Sequence, residues 1–154
     1  MLDQILKYTI PVAHPVVVHF PLALGLAALI FVAGWAFRDK LFWLYASMWL
    51  TALAWIGSIL ALRTGEVMEE QSEGVAIVDE LVHLHETMGE RAAWALGLTL
   101  LWLLFSRWHS SHDIGKSGTR LWIRLVALLL MVSAGIFLVL TGHLGGVMTW
   151  GVPS

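Results

Sequence analysis

VAHPVVVHFPLALGLAALIFVAGWAF, residues 12–37, contains no charged side chain and stops against Arg38-Asp39-Lys40. About 20 consecutive helical residues cross the hydrocarbon of a bilayer, so this stretch has room for a complete span. A cleaved signal peptide is the competing reading. It is expected to fail, because the run is long and no small-residue cleavage pattern follows it. Leu41 to Leu62 is a second uncharged run, and Leu125 to Thr141 is another, with Leu121 to Arg124 as its entry. Ala92 to Ser106 is shorter and rises only about 22 Å as a helix. Counting back about 20 residues from Arg107 reaches Thr87, so His85 to Arg91 is expected inside the bundle or at its rim. The reading is all-α: a four-transmembrane-helix up-down bundle forming a single membrane domain, 1–154. Its helices are expected at about 12–37, 41–63, 81–107 and 120–143.

Composition agrees. Of 154 residues, 58% are hydrophobic and 13% charged, where a soluble domain carries about 25% charge. Lipid is the natural solvent for that excess of apolar surface. The chain has no cysteine, which removes disulfides, iron–sulfur clusters, thiolate metal ligands and covalent c-type haem attachment. No basic patch points to nucleic acid. No Ser/His/Asp set, phosphate loop or catalytic carboxylate pair is evident, and four spans without an internal repeat do not suggest alternating access.

Charge sets the expected orientation. Arg38, Lys40, Arg107, Lys116, Arg120 and Arg124 belong to the connections between spans 1 and 2 and spans 3 and 4. The other side holds only Lys7, Arg63 and Arg91 among many acids, including Glu66, Glu69, Glu70, Glu73, Asp79 and Glu80. Short basic loops stay in the cytoplasm. The expectation is therefore a multi-pass protein of the bacterial inner membrane with both termini periplasmic. Ser106 to Thr119 reads as a flexible cytoplasmic connection, and Thr64-Gly65 as a helix end with glycine in the left-handed cap. Trp35, Trp43, Trp108, Trp122 and Trp150 fall near span ends, where indoles anchor at headgroups.

The histidines share one depth. His19 lies 19 residues before Arg38, His143 lies 19 after Arg124, and His85 lies 22 before Arg107. Three spans thus carry a histidine about 28–33 Å above the basic level, and His14 lies just beyond. Helical phase selects further. His83 and His85 diverge by roughly 200°, so one of them faces inward. His85 is favoured, because it continues into the small-residue stripe Gly89, Ala92, Ala93, Leu96 and Gly97, suited to close helix approach.

Interfacial hydrogen bonding explains a single such histidine. Four converging from three helices suggest ligation, since neutral imidazole binds iron, copper and zinc. Two imidazoles on facing helices would also suit a b-type haem, one or two in number. A non-haem metal ion held by the same cluster, with Glu86 or Glu66, is the alternative. Third is a structural subunit whose histidines pair with acids. Arg63 and Arg91 lie on the same side. Either would suit a haem propionate, since guanidinium binds carboxylate with two prongs. For Arg63 the local acid Glu66 is an equal candidate partner, and for Arg91 an internal glutamate is favoured.

Three stretches carry a resemblance: His14-Pro15-Val16-Val17-Val18-His19-Phe20-Pro21, His85-Glu86, and Thr141-Gly142-His143-Leu144-Gly145-Gly146. With Thr64-Gly65, they resemble a bacterial family of four-span predicted membrane proteins, domain of unknown function 2231, over essentially the whole chain. The resemblance implies a four-helix membrane domain, sometimes joined to periplasmic cytochrome c-like modules, and hence redox work on the outer side. The family's histidines fall on His14, His19, His85 and His143; His83 is outside the pattern. The motif also has a physical logic. Pro21 cannot donate to Val17, which loosens the first helix and would let His14 and His19 both turn inward. Glycine after His143 would let the chain leave the bundle or approach a planar cofactor.

The leading expectation is a small membrane cytochrome b passing electrons to or from a periplasmic cytochrome or a quinol, alone, as an oligomer or within a larger redox complex. In an up-down bundle the first and third helices are diagonal. The expected ligand pairs are therefore His19 with His85, and His14 with His143.

Overall fold

The computed structural model describes residues 13–70, 76–112 and 120–151. Lys7, Glu73, Lys116 and the remainder of the Ser106–Thr119 connection beyond His112 lie outside the described residues, as do the side chains of Glu69, Glu70, Asp79 and His112. Five helices follow in order: α1 (Ala13–Val17), α2 (His19–Arg38), α3 (Leu41–Glu70), α4 (Ala76–His112) and α5 (Leu121–Trp150). Four segments are long and apolar enough to cross a membrane: His14–Arg38, Leu41–Val67, Glu80–His109 and Leu121–Met148. Each span packs on the next, and α5 returns to α2, which is the up-down bundle.

The first span is broken where Pro21 requires it. Proline offers no N–H to Val17, and Val18 forms a turn between α1 and α2. The remaining spans run longer than their hydrophobic runs. Gly65 does not end α3, which continues in helical conformation to Glu70, and Gly145-Gly146 do not end α5, which continues to Trp150. Gly65 and Gly145 keep helical dihedrals, and each makes room for a neighbouring ring instead of capping its helix. Among the described residues, Gly151 is the positive-φ glycine (φ 77°), and its N–H bonds the Val147 carbonyl at 2.8 Å to close α5.

The bundle is small inside and large outside. Its buried layer includes Ala28, Val32, Ala54, Ala92, Ala127 and Ala134 around Trp35, Leu96, Leu103, Met131 and Leu138. Trp49, Trp94 and Leu129 instead stand 71%, 74% and 69% exposed. That inversion suits lipid, where close backbone approach rather than expulsion of apolar groups from water drives helix association. At the basic end the α2–α3 turn is tight. Asp39 adopts the left-handed conformation (φ 49°, ψ 40°) and its N–H bonds the Trp35 carbonyl. Arg124, from α5, donates to the Ala36 carbonyl at 2.9 Å and stands 3.8 Å from the Asp39 carboxylate. A cation at the C-terminal end of α2 meets both its dipole and its unpaired carbonyls.

Candidate functional site: a pair of anchored imidazoles

The break at Val18 gives α1 its own direction, and α1 packs against α3 as well as α2. His14 thereby reaches α3. Its Nδ1 lies 3.0 Å from Thr64 Oγ1. Thr64 Oγ1 in turn lies 3.1 Å from the Leu60 carbonyl and 3.0 Å from the Ala61 carbonyl. Carbonyls only accept, so the single hydroxyl hydrogen is committed to them. The hydroxyl lone pair therefore accepts a hydrogen bond from His14 Nδ1–H.

His85, on α4, repeats the arrangement against α5. Its Nδ1 donates to the Thr141 carbonyl at 2.9 Å, and an acceptor that is a carbonyl again fixes the hydrogen on Nδ1. Assigned from these networks, both neutral rings carry Nδ1–H and present Nε2 with its lone pair. Each ring also rests on a glycine. A methyl at Gly65 would lie 3.2 Å from His14 Cε1, and one at Gly145 would lie 3.2 Å from His85 Cε1.

The two half-buried rings meet at the end of the bundle opposite Arg124. Their centroids are 6.1 Å apart and their planes stand at 78°. Gly89, one turn below His85, faces Leu62 of α3 and Thr141 of α5, so this side of α4 is the inward one. His83 is exposed.

The other expected site residues are not part of the pair. His19 is exposed and its Nδ1 bonds the Pro15 carbonyl within its own turn. The loosened first helix therefore turns His14 inward and leaves His19 outside. His143 is also exposed, on a different face of α5 from Thr141. Of the expected pairs, His19 with His85 and His14 with His143, the structure brings neither together; it brings His14 to His85. Arg63 pairs with Glu66 at 3.1 Å, both largely solvent-facing, so the local acid is its partner. Arg91 is exposed and lines a groove with Trp94, Leu98, Leu130 and Phe137. No glutamate among the described residues meets it, because helical phase turns it out of the bundle.

The donor set decides what the pair can hold. Among the described residues no group of three or more His, Asp or Glu side chains is placed around one point, so the four-ligand cluster is not assembled. Two imidazoles would be the complete protein contribution to a bis-histidine haem iron, and two neutral rings with centroids 6.1 Å apart are donors of the kind such an iron takes. The floor beneath is packed by buried residues: Gly57 meets Pro21, and Gly25 meets Leu138. With these contacts filled, a macrocycle would have to stand at the mouth of the bundle.

Sequence reasoning missed Thr64 as a hydrogen-bond partner, along with the Thr141 carbonyl and the seating of each ring on Gly65 and Gly145. The available signal was a Thr-Gly pair recurring at the outer ends of two spans, Thr64-Gly65 and Thr141-Gly142.

Comparison with curated proteins and with solved structures finds no match. The model of the family described as predicted membrane protein, DUF2231, matches residues 10–152, and the chain belongs to that family.

Proposed function

We propose that the protein is a small membrane cytochrome b in which His14 and His85 would hold the iron of one haem at the outer rim. A single observation carries the reading: both rings have Nδ1 committed to a fixed acceptor and Nε2 left with its lone pair, 6.1 Å apart by centroid. Ligating histidines commonly donate their second nitrogen in this way, which fixes tautomer and ring orientation and raises ligand basicity. When bound, the iron would supply one-electron exchange. The chain's own residues orient the two nitrogens, and the packed floor separates the site from the interior of the bundle. The positive-inside argument puts this rim on the periplasmic side of the inner membrane, where a periplasmic cytochrome or a quinol is the natural partner.

The absorbance spectrum of protein purified after growth with ample haem tests this. A Soret band with narrow visible bands on reduction is expected, lost in both His14→Ala and His85→Ala and kept in His19→Ala, His83→Ala and His143→Ala. No Soret band, or loss of haem from His19→Ala or His143→Ala alone, refutes it. The packed floor favours a second reading, a bare metal ion held by the same two nitrogens. A stoichiometric metal without a porphyrin spectrum would support that instead.

A further inference from the structure

Glu90 and Arg91 stand next to each other on the outer face of α4, both exposed, and neither has a hydrogen bond or ion pair among the described residues. They lie about one and a half turns below His85, within the Glu80–His109 span. Ionisable groups inside a span almost always face protein or water and pair with each other. Two unlike charges left open toward lipid at the same level therefore point to a partner that supplies both complements.

The surface around them is self-complementary. Adjacent residues on a helix diverge by about 100°, and Trp94, near a whole turn further on, bisects the pair. The ridge continues through Leu98, Leu101, Phe105 and Trp108, which with Trp94 alternate at spacings of four and three. That is the seam of two parallel helices in left-handed contact. A groove flanks the ridge on each side. The α3–α4 groove, about 460 Å³, includes Glu90, and the α4–α5 groove, about 280 Å³, includes Arg91.

We propose that the protein forms a parallel two-fold dimer through α4, with Glu90 of each copy paired to Arg91 of the other. Copies inserted with the same topology can be related by a two-fold axis along the membrane normal. Helices facing across that axis present equal levels to each other. If Glu90 lies to one side of the contact line and Arg91 to the other, rotation by 180° brings Glu90 of one copy beside Arg91 of the second, and the reverse pair forms at the other side. The contact is isologous and closed. It covers Trp94, the most exposed tryptophan among those whose side chains are described. The inference is independent of what His14 and His85 bind.

Charge reversal separates this from a lipid-facing surface. In nanodiscs or mild detergent the wild type should show twice the 17.1 kDa protein mass. Glu90→Arg and Arg91→Glu, each opposing like charges twice, should lower the dimer fraction at least about tenfold. The double variant Glu90→Arg/Arg91→Glu should restore it. Because the chain has no cysteine, Trp94→Cys supplies a clean second measurement. It should cross-link to itself on oxidation in native membranes, whereas Leu129→Cys, equally open on α5, should not. A monomeric wild type overturns the proposal, as does a double variant no better than the singles or equal cross-linking at 94 and 129. An anionic lipid held at Arg91 alone would give the first of these results.

Discussion

Gly145 and Gly146 are neighbours in one helix, and the structure separates what each does. A methyl at Gly145 would stand 3.2 Å from His85 Cε1 and 3.6 Å from its Nδ1, while a methyl at Gly146 would meet nothing within 4 Å. Alanine in place of glycine inside a helix is worth about 1 kcal/mol in propensity. At Gly146 that gain is unopposed, so Gly146→Ala should stabilise the protein by up to about 1 kcal/mol and leave the site alone. At Gly145 the same gain competes with overpacking, which costs about 1–3 kcal/mol where side chains cannot move freely. The His85 ring must give by a few tenths of an ångström, and it is held by the 2.9 Å bond from Nδ1 to Thr141, which that movement disturbs. Stability of Gly145→Ala should therefore fall between unchanged and about 2 kcal/mol worse. Disturbing the bond that orients a ligating imidazole should weaken ligand affinity by about 10- to 100-fold. Thermal unfolding in detergent gives the first quantity and haem or metal titration the second. Histidine ¹⁵N shifts report the His85 tautomer with no ligand added. Equal ligand affinity and equal His85 shifts in the two variants would refute the account of the site.

Three further outcomes follow from the hydrogen bonds. Thr64→Val deletes the hydroxyl acceptor of His14 while keeping side-chain shape; it should cost about 0.5–1.5 kcal/mol of stability and reduce ligand retention, with Thr64→Ser near wild type in both assays. Arg63→Leu breaks an exposed pair with Glu66 and should change stability by no more than about 1 kcal/mol, with haem content unaltered; a loss of haem would return Arg63 to the propionate. Arg124→Leu leaves the Ala36 carbonyl without its 2.9 Å donor and should destabilise by about 1–3 kcal/mol in equilibrium unfolding, with no change in the ligand spectrum.

The bundle was legible because each span is bounded by charges and filled by residues that only lipid or close helix contact can accommodate. Depth was legible too, since a helix rises by a fixed amount per residue and the basic residues mark a common level. That arithmetic put His14, His19, His85 and His143 at one end. It could not say which rings meet, because equal depth leaves the angle around each helix undetermined. Phase favoured His85 over His83, and Gly89 facing both α3 and α5 gives the structural basis of that preference. Phase failed for His19 because it assumed a first helix loosened enough to turn both histidines inward. The real break at Val18 swings α1 toward α3 and commits His14 there, while His19 satisfies its Nδ1 on the Pro15 carbonyl. Thr64-Gly65 was misread as a helix end because threonine and glycine near a span boundary match a cap in composition. What distinguishes the two roles is a ring from another helix, and such a contact is invisible in local sequence.

The two rings are built by the same device in separate halves of the molecule. In the hairpin of the first and second spans, His14 leans on Thr64 and Gly65; in the hairpin of the third and fourth, His85 leans on Thr141 and Gly145. Each tautomer is therefore set inside its own hairpin, and only the meeting of the rings depends on how the hairpins pack. That packing runs along two seams where glycines receive the opposing side chain: Gly89 takes Leu62 and Gly97 takes Trp55 between α3 and α4, while Gly25 takes Leu138, Gly135 takes Leu29 and Gly142 takes Leu22 between α2 and α5. The small residues thus fix the separation of two preformed half-sites. A ligand bridging them binds the packed state and not the separated hairpins, so at a hundredfold excess over its dissociation constant it adds about 2.7 kcal/mol to the association of the two halves. Packing and ligation act on the same degree of freedom, so a glycine on these seams can govern the site without touching either imidazole.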